Sequence, residues 1–120
     1  FEDADSAVNV ALATLDAMKA LNIERVHLAE EPLEVSVGIA TGEVVQGNIG
    51  FAGKLEYTVI GPAVNKAFRL VSAADPATVL LDDPTVEAMN VPKAVTIVDG
   101  VTLKGVGPVK VYQLTETLLP

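Results

Sequence analysis

The sequence has no cysteine and a single histidine, and these shortages exclude several kinds of chemistry. Without cysteine there can be no disulfide, no thiolate zinc site and no cysteine nucleophile. His27 stands beside Arg25 in a segment that we interpret as a connection, and no serine lies in a G-x-S-x-G pattern, so a hydrolase triad has no basis. We expect His27 to be structural or exposed.

Aromatic residues and long apolar runs are scarce as well. Three Phe, two Tyr and no Trp stand beside a hydrophobic share of 50%, so we expect a core of Val, Leu, Ile and Ala. No apolar run approaches the roughly 20 residues that a membrane span needs, and no signal peptide opens the chain. We therefore expect a cytoplasmic segment without membrane contact of its own. Because the first residue is not Met, we expect a longer parent protein, whose other domains could anchor it to a membrane.

Basic residues are half as numerous as acidic ones, at 8 against 16, and the net charge is −8. Such a surface repels nucleic acid and anionic membranes at long range, so we expect no nucleic-acid partner. A nucleotide site remains open, since a few local cations can overcome the global field. The 120 residues fit one domain, and no linker divides them.

Hydrophobic periodicity and turn signals predict helices and strands in a mixed order, which indicates an α+β or α/β fold with a mixed sheet. The predicted elements are a helix over 4–21, a strand over 33–41, a glycine-rich segment over 42–54, a strand over 55–61, a helix over 62–74, a strand over 78–82, a short helix over 83–89, a strand over 95–98 and a closing hairpin over 101–114 with its turn at 105–108. The predicted buried stripe of the helix over 62–74 consists of Val64, Ala67, Phe68 and Val71.

The glycine-rich segment raises the hypothesis of a phosphate-binding loop. A P-loop needs a glycine five positions before a Gly-Lys pair, and then Ser or Thr. Here Leu55 follows Gly53 and Lys54, and Asn48 stands where the first glycine should be, so the pattern fails. Tight backbone turns are the default interpretation of these glycines.

The acidic residues show no metal-ligand spacing. Asp82 and Asp83 are adjacent, but Pro84 follows them, which is typical of a strand exit and a helix start. We predict that Asp83 caps the short helix and that Pro84 takes its first position.

Asn65 and Arg69 are the most informative pair. Four residues apart on a predicted helix, they project from one face. An amide and a guanidinium presented together suit ribose oxygens and phosphate, although the same spacing is common in surface decoration.

Four segments together carry a family resemblance. GEVVQGNIG, YTVIG, VNKAFRL and LKGVGPVKVYQL, in this order, resemble the C-terminal portion of the class III adenylate/guanylate cyclase catalytic domain, and V-N-x-A-x-R-L after Y-x-x-x-G is the most specific of them. The resemblance covers essentially the whole chain. It implies an α+β, ferredoxin-like fold that lacks its N-terminal elements, with helices packed on a mixed, mainly antiparallel sheet. It also implies a homodimer in which each site is shared between two subunits.

The resemblance assigns roles to four residues. Asn65 would orient the ribose, and Arg69 would stabilise charge on the α-phosphate. Thr58 falls at the base-reading position, where threonine is similar to a bacterial-type subgroup of adenylate cyclases. Lys104 matches a lysine that contacts the β- and γ-phosphates, with an exposed hairpin lysine as the alternative.

The metal-binding part of the family's site is missing from this sequence. The two aspartates that would hold two Mg²⁺ or Mn²⁺ ions, and the lysine that reads adenine, belong to sequence before Phe1, so no metal ligand is predicted here. We expect the chain alone to be inactive and the parent to be an adenylate cyclase that makes cyclic AMP and pyrophosphate from ATP for cyclic-nucleotide signalling. The alternatives are a guanylate cyclase acting on GTP and a non-catalytic cyclase-like domain for dimerisation or regulation.

Overall fold

The computed structural model describes residues 1–51 and 53–115, which form three helices and eight strands. The helices are α1 (Ala4–His27), α2 (Pro62–Ala73) and α3 (Asp83–Ala88); the strands are β1 (Val37–Ile39), β2 (Val45–Phe51), β3 (Lys54–Ile60), β4 (Val79–Asp82), β5 (Val95–Val98), β6 (Thr102–Leu103), β7 (Gly107–Pro108) and β8 (Val111–Leu114).

The main sheet has four strands in the order β1-β4-β8-β5. β1 runs parallel to β4, with Val37 opposite Val79, and β8 is antiparallel to both of its neighbours, β4 and β5. β2 and β3 form a separate antiparallel hairpin, and β6 and β7 form a small two-stranded ladder. The expected α+β fold with a mixed, mainly antiparallel sheet is therefore confirmed.

Each face of the main sheet carries its own hydrophobic cluster. Successive residues of a strand point to opposite faces, so Leu81 packs with Val8 and Leu12 of α1, whereas Leu80 packs with Leu70 of α2 and Leu103. The sheet is thus held between α1 and α2. The core is aliphatic apart from Tyr112, as the composition predicts.

α1 begins at Ala4 as predicted but continues to His27, six residues beyond the predicted end. No glycine or proline interrupts the added turns, and side chains of these turns bind the returning loop. The amide of Asn22 donates to Leu33 O and accepts from Leu33 N, both at 2.7 Å. Ile23 is exposed, so the burial pattern ends before the helix does. His27 lies exposed in the last turn, as expected.

β1 is shorter than predicted because its pairing partner is short. The predicted strand started at residue 33, but the ladder begins where Val37 N donates to Thr78 O, next to the first residue of β4. Leu33, which precedes β1, makes hydrogen bonds with the side chain of Asn22 instead of with a neighbouring strand.

α2 has nearly the predicted bounds, but only half of its predicted buried stripe is confirmed: Val64 and Ala67 are half-buried, whereas the other two residues are exposed. Leu70 is fully buried, whereas Phe68 is 69% exposed and Val71 is 41% exposed. The reason is the close approach of the helix to Gly38 of β1, where an added Cβ would lie 2.7 Å from Ala67 O. This contact turns Leu70 toward the sheet and Phe68 away from it.

Two further predictions are corrected near the end of the chain. Asp82, not Asp83, caps α3, because Asp82 Oδ1 accepts from Thr85 N at 3.0 Å; Asp83 instead accepts from the Tyr112 hydroxyl. The closing segment is not one hairpin. Its last strand, β8, enters the main sheet between β4 and β5, where Val111 and Tyr112 are buried on opposite faces.

Candidate functional site

Three of the four predicted site residues line one open cleft of about 550 Å³. Asn65 and Arg69 enter it from α2, and Lys104 enters from the turn that follows β6. The remaining lining residues are Phe68, Ser72, Gly105 and Val106. Asn65 and Lys104 are 39 positions apart in the sequence, so only the fold brings them together.

The helix period explains why Asn65 and Arg69 share the cleft. Each residue of an α-helix is turned by about 100° from the one before it, and residues four apart lie on the same face. Leu70 is buried against the sheet, so Arg69, one residue earlier, points to the side. Asn65 lies one turn before Arg69 on that same side.

The position of Lys104 depends on its neighbour in β6. Leu103 is 2% exposed and belongs to the same buried cluster as Leu70 of α2. This apolar contact holds the β6–β7 ladder against the helix. Lys104, the next residue, is thereby brought to the cleft that Arg69 also lines.

The cleft is a cationic spot on an acidic protein. Among the described residues, neither Arg69 nor Lys104 has a carboxylate within 4.0 Å, whereas Arg25 pairs with Glu30 and Lys66 with Asp82. Two unneutralised cations next to an amide favour an anionic ligand with further polar groups. A chain with a net charge of −8 can thus still attract such a ligand at this place.

Thr58 does not line this cleft. It lies in β3, half-buried and opposite Gly47 of β2, and it is absent from the residues around Asn65 and Arg69. Its role toward a base stays a prediction.

A buried polar network beside the cleft was missed by the sequence analysis. Asp82 is fully buried, and its carboxylate accepts from Thr41 N, Thr85 N and Thr85 Oγ1 and pairs with Lys66 Nζ at 3.1 Å. Thr41 Oγ1 and Thr85 Oγ1 are 2.8 Å apart. Thr85 stands three positions after Asp82, which is the spacing at which an N-cap side chain accepts from a backbone N–H, so the cap of α3 could have been predicted. The ion pair between Asp82 and Lys66 has no such sequence pattern.

The described residues do not fit a metal centre. Within 1–51 and 53–115 there is no group of three His, Cys, Asp or Glu side chains placed to hold an ion. The buried carboxylate of Asp82 is already satisfied by the threonines and Lys66. No metal ligand is therefore assigned within residues 1–51 and 53–115.

An amide, a guanidinium and an ammonium group on one cleft of an α+β scaffold suit a ligand that carries phosphate groups. The family model described as the adenylate and guanylate cyclase catalytic domain matches residues 1–116. The chain belongs to this family.

Known proteins similar to the chain agree with this assignment. The adenylyl cyclase CyaB from P. aeruginosa has a TM-score of 0.87 and 32% identity, with 95% of this chain and 59% of that chain covered. The guanylyl cyclase Cya2 has a TM-score of 0.82 and 31% identity, with 99% and 61% covered. An uncharacterized protein of Mycobacterium bovis is 41% identical over 68 residues, which are 53% of this chain and 13% of that protein. The chain thus spans about three fifths of the two solved cyclases and a smaller part of the mycobacterial protein.

One finding bears on membranes. Among the helices of the described residues, none has both the length and the apolar character that crossing a bilayer requires.

Proposed function

We propose that the chain is part of the catalytic domain of an adenylate cyclase, which converts ATP to cyclic AMP and pyrophosphate. The observation that carries this proposal is the meeting of Asn65, Arg69 and Lys104 on one cleft. In the reaction the ribose 3′-oxygen bonds to the α-phosphorus, the bond from that phosphorus to the pyrophosphate oxygen breaks, and the 3′-hydroxyl proton is released.

The proposed roles follow from the chemistry of each side chain. Arg69 stabilises the negative charge that develops on the α-phosphate, because its guanidinium is always cationic and presents paired donors. The amide of Asn65, one helical turn earlier, holds the ribose so that its 3′-oxygen faces the phosphorus. Lys104 contacts the leaving pyrophosphate as a point charge. The two Mg²⁺ or Mn²⁺ ions of the proposed reaction are assigned to residues outside this chain.

The choice of ATP over GTP rests on Thr58. A threonine hydroxyl can hydrogen-bond to adenine, which favours ATP. The overall similarity does not distinguish the two substrates, because the chain is nearly as similar to the guanylyl cyclase Cya2 as to the adenylyl cyclase CyaB. Guanylate cyclase is therefore the second candidate. Substituting Thr58 by alanine should raise the KM for ATP if the hydroxyl reads the base, and an unchanged ratio of ATP to GTP turnover would remove Thr58 from that role.

The exposed apolar side chains of the β2–β3 hairpin support the proposed homodimer. Val45 and Leu55 are each 74% exposed, Tyr57 is 64% exposed and Ile60 is 54% exposed. Such a concentration of apolar surface is typical of a subunit interface. We propose that a second copy of the protein covers the hairpin, which would also let each site be shared between subunits.

The test is cyclic-nucleotide formation by the complete protein with ATP and Mn²⁺. Arg69→Ala should lower kcat by about 100-fold or more with a smaller change in KM, as for a group that acts chiefly in the transition state. Arg25→Ala is the matched control, because Arg25 pairs with Glu30 at the far end of α1. A loss confined to KM would contradict the role of Arg69, and no cyclic nucleotide from the wild type would favour the non-catalytic alternative.

A further inference from the structure

Asp82 is a buried carboxylate that ties four elements together. It ends β4 with 0% exposure, and it accepts hydrogen bonds from Thr41 after β1 and from Thr85 of α3. Lys66 of α2 completes the set with its ammonium 3.1 Å from Asp82 Oδ2. A carboxylate removed from water needs this many partners, so the geometry around it is strongly constrained.

Lys66 is the polar anchor of α2 on the sheet. Its side chain is 23% exposed and reaches inward, four residues before the buried Leu70. Lys66 and Leu70 therefore mark the face of the helix that meets the sheet. Asn65 and Arg69 come one residue before Lys66 and Leu70, respectively. They therefore lie on the adjoining face of the helix.

Close packing and one ion pair fix the start of α2. An added Cβ at Gly61, the N-cap, would lie 2.9 Å from Glu43 O, so the first turn lies tightly on the segment after β1. This packing sets how close the helix comes, but Gly61 makes no side-chain capping hydrogen bond. Among the described residues, the ion pair of Lys66 is the side-chain polar contact of the first two turns, where Asn65 lies.

We propose that the ion pair between Lys66 and Asp82 is a positioning device for the cyclase reaction. It fixes the rotation and depth of α2, and so aims Asn65 and Arg69 into the cleft without touching the nucleotide. This inference rests on the proposed function of those two residues. Because a misplacement of about 1 Å can lower a rate by about 100-fold, loosening the helix should be visible in kcat.

The experiment separates positioning from stability with two variants of the complete protein. Lys66→Met leaves the charge of Asp82 buried and unpaired, so both the melting temperature and kcat should fall. The double variant Lys66→Met/Asp82→Asn removes that charge and keeps the oxygen that caps α3. Its melting temperature should recover most of the loss, whereas its kcat should stay at least about tenfold below wild type with KM within about threefold.

Two single substitutions complete the set. Lys66→Arg keeps a cation within reach of Asp82 and should retain most of the activity. Lys19→Met makes the same charge change at an exposed site on α1 and should leave kcat unchanged. Wild-type kcat in Lys66→Met, or recovery of kcat together with the melting temperature in the double variant, would overturn the proposal.

Hydrogen exchange on the complete protein gives a readout that does not depend on turnover. Backbone amides over 64–69 should exchange at least about tenfold faster in the double variant than in wild type, while the amides of α1 stay unchanged. Equal exchange in α2 would overturn the positioning role. If the wild-type complete protein forms no cyclic nucleotide, the proposed function fails, and the exchange result still decides whether the ion pair positions the helix.

Discussion

Substituting Gly38 by alanine probes how closely α2 lies on the main sheet. A Cβ at this position would be 2.7 Å from Ala67 O, 2.9 Å from Leu70 Cβ and 2.9 Å from Val71 N. Ordinary contact begins at 3.4 Å, so the helix must move by about 3.4 − 2.7 = 0.7 Å. Two of the three obstacles are backbone atoms, which cannot turn aside as a flexible side chain can.

The expected cost follows from this overpacking. Forcing an extra methyl into a tight contact costs about 1–3 kcal/mol, which for a domain of this size lowers the melting temperature by roughly 5–15 °C. Thermal unfolding followed by circular dichroism measures it. Gly47→Ala is the matched control, because an added Cβ there meets no described atom within 4 Å. Equal melting temperatures of the two variants would refute the close approach of α2 to β1.

Two smaller predictions concern contacts of α1. Asn22→Ala should lower the free energy of unfolding in urea by about 1–2 kcal/mol, because two hydrogen bonds to Leu33 are lost. Asn48→Ala on β2 should cost less than half of this, because the Asn48 side chain has no hydrogen bond to any described residue. The backbone N–H groups of Val91 and Asn90 donate to the Asp5 carboxylate and lower the pKa of Asp5. The ionised carboxylate therefore stabilises the fold above the ordinary Asp pKa of about 4. This stabilisation is lost as pH falls through the lowered pKa of Asp5 in the folded protein. The difference in free energy of unfolding between wild type and Asp5→Asn should therefore become smaller as pH falls. A difference that does not change with pH would contradict this prediction.

Local signals predicted the part of the fold that holds the cleft. Gly61 and Pro62 mark the start of α2, and the pair Asp75 and Pro76 marks its end, so the helix could be bounded from the sequence. Once the helix is known, its period places Asn65 and Arg69 on one face. These properties depend only on neighbours in the chain.

The predictions that were wrong concern contacts between residues that are distant in the sequence. The buried face of α2 was predicted from hydrophobicity, which favours Phe68, but the approach of Gly38 turns Leu70 inward instead. Likewise, the closing strands suggested a hairpin because they are adjacent in sequence, yet β8 finds its partners in β4 and β5. The ion pair of Lys66 and Asp82 joins residues 16 positions apart, and no sequence spacing predicts it.

We propose that this chain supplies the ribose- and phosphate-directed half of a cyclase site that two subunits share. The most direct test mixes, in equal amounts, complete subunits carrying Arg69→Ala with complete subunits that lack the metal-binding aspartates. About half of the dimers should then be mixed, and each should contain one site with every group in place, so about a quarter of the wild-type rate of cyclic AMP formation should return. Activity no greater than the sum of the two separate variants would contradict the claim.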